Sequence, residues 1–184
     1  MLGGGRPFVV EAINVRAPPS DAAALAAAAA SLASRGRVGV RALAVLTRQE
    51  RERMREGEAE KSKAYRAVVS LSRPFTPADA AALAAAAARG IMLQQQTPVR
   101  VLHRRAALTR ERAVHALAAT PLPGHPRALI LELRCGAGTY VKEFIHGDFG
   151  RTQPCLPDLL APDAPRAAAD CLQLDVTSVE MEWL

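Results

Sequence analysis

Two alanine-rich stretches set the strongest limit on what this chain can become. "PPSDAAALAAAAASLASRG" and "FTPADAAALAAAAARG" consist mainly of the best helix-forming residue, so both predict helices. Each opens on a hydroxyl that can cap a helix, Ser20 or Thr76. The second adds Pro77 at the first helical position and Asp79 three residues after the cap, a variant of the capping box. Each closes at a glycine suited to the left-handed residue beyond a helix, Gly36 or Gly90. An alanine-biased composition accounts for the likeness of the two without a duplication.

Around these helices lie runs with the period of a strand. In "RPFVVEAINV" Phe8, Val10 and Ala12 share one face, and Val9 and Glu11 the other. "VGVRALAVLT", "AYRAVVSLS", "PVRVLHRR", "RALILELR" and "CLQLDVTSVEMEW" also read as strands. "TRQERERMREGEAEKSK" has no apolar stripe and reads as an exposed helix end or a loop. "TPLPGHP" is a turn between strands, and "QPCLPDLLAPDAP" separates a helix in "GTYVKEFIHGDFG" from the last strand. Strands interleaved with helices, without strict alternation, predict an α+β fold around a mixed sheet, in one domain over 1–184.

Composition narrows the partners. The formal net charge is +6 and the pI about 9.9, which favours a polyanion, although a preference for Arg and Ala gives the same balance. The alanine tracts are interrupted by Ser, Asp and Arg, so no run is long and greasy enough to cross a bilayer. Cys135, Cys155 and Cys171 are widely spaced and form no CxxC pair, which argues against a structural zinc site and a disulfide framework. Neither a nucleotide-binding glycine loop nor a dinucleotide fingerprint is present.

Three segments can carry chemistry. In "CGAGTYVKEFIHGDFGRT", Gly136 and Gly138 end a strand, Thr139 can cap the next helix, and Gly147 stops it. The spacing turns Val141, Phe144 and Ile145 inward, leaving Lys142, Glu143 and His146 to face elsewhere. Such a junction offers backbone amides to an anion, or is simply a tight turn with a short packing helix. In "EKSKAYRAV", Lys61, Lys63 and Tyr65 share one side of a strand; Tyr65 either stacks on a base or is half-buried at a sheet edge. "TPVRVLHRRAALTRER" reads as a phosphate-tracking strand bearing Arg100, His103, Arg104, Arg105, Arg110 and Arg112, with Arg100 and Arg105 on opposite faces. His146 and Asp148 lack a third ligand at helical or strand spacing, so no metal is expected.

"LGGGRPFVVEAIN", "EKSKAYRA", "QQTPVRVLHRR", "AGTYVKEFIHGDFGRTQP" and "LDVTSVEMEW" occur in that order. Together they resemble the catalytic domain of the archaeal and eukaryotic tRNA pseudouridine synthases of the "Pus ten" type, which modify uridines in the TΨC arm. The resemblance implies a bent mixed sheet with helices on its outer faces. It also implies a reaction: a uridine is flipped out, its bond to N1 is broken, the uracil turns, and C5 bonds to the sugar. That chemistry uses no metal or redox cofactor. By resemblance Tyr65 is the tyrosine stacked on the target base, Tyr140 a second substrate contact, and Lys142 the basic partner of the nucleophilic aspartate. Leu159 closes the pocket, with Leu160 or Leu156 as alternatives. Lys61, Lys63, Arg104, Arg105, His146 and Arg151 are the expected RNA contacts. The family's aspartate lies in a "GREDxDxR"-like loop just before the "LGxGRPF" strand. The resemblance therefore implies an N-terminally truncated catalytic domain without its nucleophile or the zinc-binding accessory domain, and Asp148 is not expected to substitute. The implied partner is tRNA, bound by a monomer of the cytoplasm or nucleus away from any membrane. A non-catalytic tRNA-binding remnant of such an enzyme is the alternative.

Overall fold

The computed structural model describes residues 8–17, 21–36, 38–60 and 62–179, with backbone only for 55–60. The described residues divide into two compact units, one up to Glu56 and one from Gly57 onward.

The first unit holds helix α1 (Ala22–Ser34) and most of α2 (Arg48–Glu60). The cap of α1 is Asp21, whose carboxylate accepts from Ala24 N–H at 2.7 Å; the expected cap, Ser20, lies outside the described residues. The charged stretch expected to be a helix end or loop is a 13-residue helix. Its start explains why: Thr47 and Glu50 form a reciprocal capping box, with Thr47 N–H donating to Glu50 at 2.7 Å and Glu50 N–H to Thr47 Oγ1 at 3.2 Å. Two expected strands do not form, since residues 8–17 and 38–47 carry no strand. Phe8 and Val10 are 53% and 76% exposed, and alternation without a ladder partner does not make a strand.

The second unit is a sheet with helices on one face. Strand β1 (Lys63–Leu71) leads to helix α3 (Pro77–Arg89), whose start has the expected box: Thr76 and Asp79 cap each other and Pro77 takes the first position. Then come β2 (Ile91–Gln96), β3 (Thr109–Leu122) and β4 (His125–Cys135), the last two joined by a turn at Pro123 and Gly124. Helix α4 (Val141–His146), β5 (Thr152–Gln153) and β6 (Ala169–Val179) complete it. The strand order is β5-β2-β3-β4-β1-β6.

The α+β class is as expected, but among the described residues every strand pair is antiparallel, where a mixed sheet was expected. The α3 crossover carries the chain three places from β1, and the β3–β4 hairpin fills the two places between. Parallel neighbours require a crossover into the adjacent place, which this order avoids. β2 and β3 escape a propensity reading because "IMLQQQ" and "TRERAVHALAATPL" mix polar and alanine residues into the ladder.

The core lies between the sheet and its helices. Ala67, Val69 and Leu71 of β1 and Leu129, Leu131 and Leu133 of β4 face Leu83 of α3 and Phe144 and Ile145 of α4. Burying a side chain such as Phe144 or Leu83 contributes about 1.5–3 kcal/mol. No helix among the described residues is long and apolar enough to cross a membrane.

Candidate functional site

Helix α4 has only six residues, too few to be stable by propensity, so its neighbours must hold it. Val141, Phe144 and Ile145 point into the core as their spacing requires. The expected cap does not form: the Thr139 hydroxyl donates instead to Gly136 O at 2.7 Å. The buried amide of Gln95 takes over. It accepts from Tyr140 N–H at 2.8 Å and donates to Tyr140 O at 3.0 Å, tying the helix start to β2.

Glu143, expected to face outward, is 1% exposed. Its carboxylate accepts from Arg100 Nε at 2.6 Å and Nη2 at 3.4 Å. A carboxylate buried without a cation costs several kcal/mol, so this pair fixes where Arg100 sits. The bond to Glu143 also raises the Arg100 pKa. The guanidinium lies 5.8 Å from the centre of the Tyr140 ring, within cation–π reach.

Arg100 is not on a strand. "PVRVLHRR" forms a short 3-10 helix over Val99–Val101, so the predicted alternation of Arg100 and Arg105 across a strand does not apply. The cause is local: Pro98 offers no N–H to a ladder, and Val99 N–H donates to Asp148 Oδ2 at 3.1 Å. Thr97 completes the fold-back by donating its hydroxyl to Ala106 O at 2.6 Å and accepting from Leu108 N–H at 3.1 Å. His103, Arg104 and Arg105 thereby form an exposed basic ridge.

Below the ridge, residues 147–150 have φ angles of 84°, 46°, 58° and 86°. Gly147 is required there, because a Cβ would meet Cys155 Sγ at 3.0 Å in a conformation side chains rarely adopt. Asp148 is 6% exposed and lies 3.7 Å from Arg151 Nε; its own N–H donates to His146 Nδ1 at 3.0 Å. Arg151 Nη2 donates to Thr97 O at 2.8 Å. Asp148 and Arg151 together brace the ridge.

The site residues expected from sequence fall into three groups. Tyr65 is half-buried on the core side of β1, opposite Leu133 and Val176. Lys142 is exposed on α4, which packs on β6; its charge opposes the rise that burial gives the Cys171 thiol pKa. Cys171 pairs with Val69, four residues along β1 from Tyr65, or about 13 Å at strand rise. Leu159 is half-buried, whereas Leu156 and Leu160 are buried at 0% and 6% exposure. Tyr140 belongs to the Arg100 cluster. Among the RNA contacts, Arg104, Arg105 and His146 are exposed, Lys63 is half-buried, Arg151 is engaged internally, and Lys61 lies outside the described residues.

Gln95 and the Arg100–Glu143 pair were missed as site elements. One signal was available: an acid between Val141 and the Phe144–Ile145 pair, on a six-residue helix, needs a cation within reach.

Fold and site define an α+β chain whose antiparallel sheet supports, at the start of α4, a basic ridge braced by buried carboxylates. Comparison with known proteins gives the lineage. The family described as "Pus10, C-terminal" matches residues 1–180, and the chain belongs to that family. It is 41% identical over 182 residues, 99% of its length, to the tRNA pseudouridine synthase Pus10 of Halorubrum lacusprofundi. To the proteins of the same name from Methanothrix thermoacetophila and Xenopus laevis it is 38% identical over 180 residues and 35% over 182. It spans 40%, 37% and 34% of those three relatives respectively. A chain from a structure titled "Crystal Structure of a Cbf5-Nop10-Gar1 Complex" superposes with a TM-score of 0.47 at 18% identity, covering 69% of this chain and 33% of that one.

Proposed function

We propose that this chain is the substrate-holding part of a tRNA pseudouridine synthase that isomerises uridine in the TΨC arm. The observation that carries the reading is the family match over 180 residues, reaching from the first helix through the last strand. The net charge of +6 and the exposed Arg104–Arg105 ridge support an RNA partner.

Each proposed role has a physical basis. Tyr65 offers a ring to a flipped uracil from a strand whose inner half is locked in the core. Lys142, exposed on a braced helix, stabilises the ionised form of a nucleophilic carboxylate. Leu159 suits the closing role better than Leu156 or Leu160, because those two have no surface left to offer. The isomerisation breaks the N1–C1′ bond and forms a C5–C1′ bond with no change in composition. It therefore calls for a nucleophile, a stacked base and exclusion of water.

The nucleophile on this reading lies outside residues 1–184. Asp79, Asp148 and Asp158 are each already held by an arginine and at least one backbone N–H. An aspartate committed in this way to the scaffold is a poor candidate for attack on a sugar carbon.

The test uses the chain with an unmodified tRNA transcript, scoring binding by gel shift and pseudouridine by carbodiimide-blocked primer extension. Binding without conversion is the expected result. Restoring a "GREDxDxR" loop ahead of the chain should then give turnover, which Lys142→Met should reduce by ~100-fold or more. Conversion by the chain alone would sink the claim about the nucleophile, and absence of binding would sink the tRNA reading.

A further inference from the structure

Phe149 is the least economical residue in the described structure. Its side chain is 97% exposed, and its backbone sits at φ 58°, ψ 34°. A bulky residue in left-handed geometry is a true outlier, and an exposed phenyl ring forgoes the burial that stabilises Phe144. Such a conformation persists only where its surroundings enforce it. Here they do. Gly147 N–H donates to Glu143 O at 2.7 Å, Gly150 N–H to Gly147 O at 3.0 Å, and Thr152 N–H to Gly147 O at 3.2 Å. The preceding residue, Asp148, is pinned by Val99 N–H and Arg151. The ring thus stands out from a turn anchored on both sides.

What surrounds the ring indicates what it meets. The Asp148–Val99 bond joins this turn to the segment that leads into the ridge of His103, Arg104 and Arg105. On the other side the ring borders an open cleft of about 700 Å³, lined also by His146, Gln153, Asp158, Arg166 and Asp170. Arg166 is paired with Asp158 at 2.8 Å and Asp170 adds a negative charge, so the cleft is on balance acidic and the cationic surface lies on the ridge side. A flat apolar ring beside a row of cations is the arrangement that single-stranded nucleic acid recognises, with base on ring and phosphate on cation. Tyr65, Lys142 and Leu159, the residues proposed above to hold the reacting uridine, do not line this cleft.

We infer that Phe149 is a stacking platform for an unpaired base of the RNA substrate, a base other than the uridine being isomerised. The inference rests on the tRNA reading above and adds a second point of grip to it.

The experiment titrates a labelled, unmodified tRNA transcript into the chain, as wild type, Phe149→Asn and Phe149→Trp, at several salt concentrations, with Tm measured for each. Asparagine accepts left-handed geometry more readily than a ring-bearing residue, so Phe149→Asn should keep or raise Tm. Loss of one base–aromatic stack should weaken its tRNA binding on the order of 10-fold. The slope of log K against log salt should not change, because no phosphate contact is removed. Phe149→Trp should bind within about twofold of wild type, since it keeps the platform. Equal binding by Phe149→Asn and wild type would overturn the inference and leave the tRNA reading standing. A fall in Tm matching the fall in binding, or a shallower salt slope, would overturn it in favour of a structural or electrostatic role. Failure of the wild type to bind would remove the tRNA reading, and the inference with it.

Discussion

Helices α1 and α3 have nearly the same sequence, "AAALAAAAASLAS" and "PADAAALAAAAAR", and the same length, yet they do opposite things. α1 buries none of its residues, whereas α3 buries Asp79, Leu83 and Ala86. Propensity makes both helical and cannot tell them apart. The difference lies in what reaches α3 from elsewhere in the chain. Arg73 donates to both oxygens of Asp79 at 2.7 Å, and Ala161 N–H, 82 residues away, donates to the same carboxylate at 3.0 Å. Asp79 is thus cap, ion-pair partner and long-range clamp at once, while among the described residues Asp21 of α1 serves as a cap. A capping residue that is also buried converts a local signal into tertiary structure.

Asp79→Ala should show this most strongly. Removing one partner of a buried ion pair strands the other charge, so a loss of about 3–5 kcal/mol is expected in urea unfolding of the sheet unit. A loss near that of an exposed cap would break the comparison. Next, Leu83→Ala should cost roughly 2–5 kcal/mol because it empties a site that is 1% exposed. The half-exposed Leu25→Ala in α1 should cost under about 1 kcal/mol; equal losses would mean that α1 packs as tightly as α3.

A finer distinction comes from the two caps. Thr76→Ala and Asp21→Ala should each cost about 1 kcal/mol. The first should lower global stability, and the second should speed amide exchange in α1 alone, as NMR would resolve. The last prediction concerns acid. The Arg73 guanidinium, joined by the Thr76 and Ala161 contacts, holds the Asp79 carboxyl well below the usual carboxylate range. Its stabilisation is therefore fully present above the unfolded pKa of about 3.9 and is lost as pH falls below it toward the folded value. Asp79→Asn should flatten that acid limb in urea midpoints measured between about pH 5 and 2. An unchanged limb would mean that other carboxylates govern it.

Much of the sheet unit was legible because its signals are local. The alternation in "AYRAVVSLS" and "RALILELR", the box at Thr76 and Asp79, and the stop at Gly147 each depend on a few neighbouring residues. The failures share one cause. "RPFVVEAINV" and "PVRVLHRR" alternate like strands, but a strand also requires a partner ladder, and partners are chosen by the whole fold. The site followed the same rule. Tyr65, Lys142 and Leu159 were named by resemblance, but the Gln95 clamp and the Arg100–Glu143 pair span 45 and 43 residues and leave almost no local trace.

The sequence by itself determined the α+β class, the two alanine helices, the basic character and the family, since these rest on composition, short-range periodicity and long matching strings. Tertiary structure alone decided that the sheet is antiparallel throughout the described residues, that α3 is buried where α1 is not, and that Asp148 braces a ridge. It alone showed that Phe149 is held out in solvent. Burial and ion pairing depend on residues brought together from distant parts of the chain, and a carboxylate acquires its role only when its cation and its amide donors arrive.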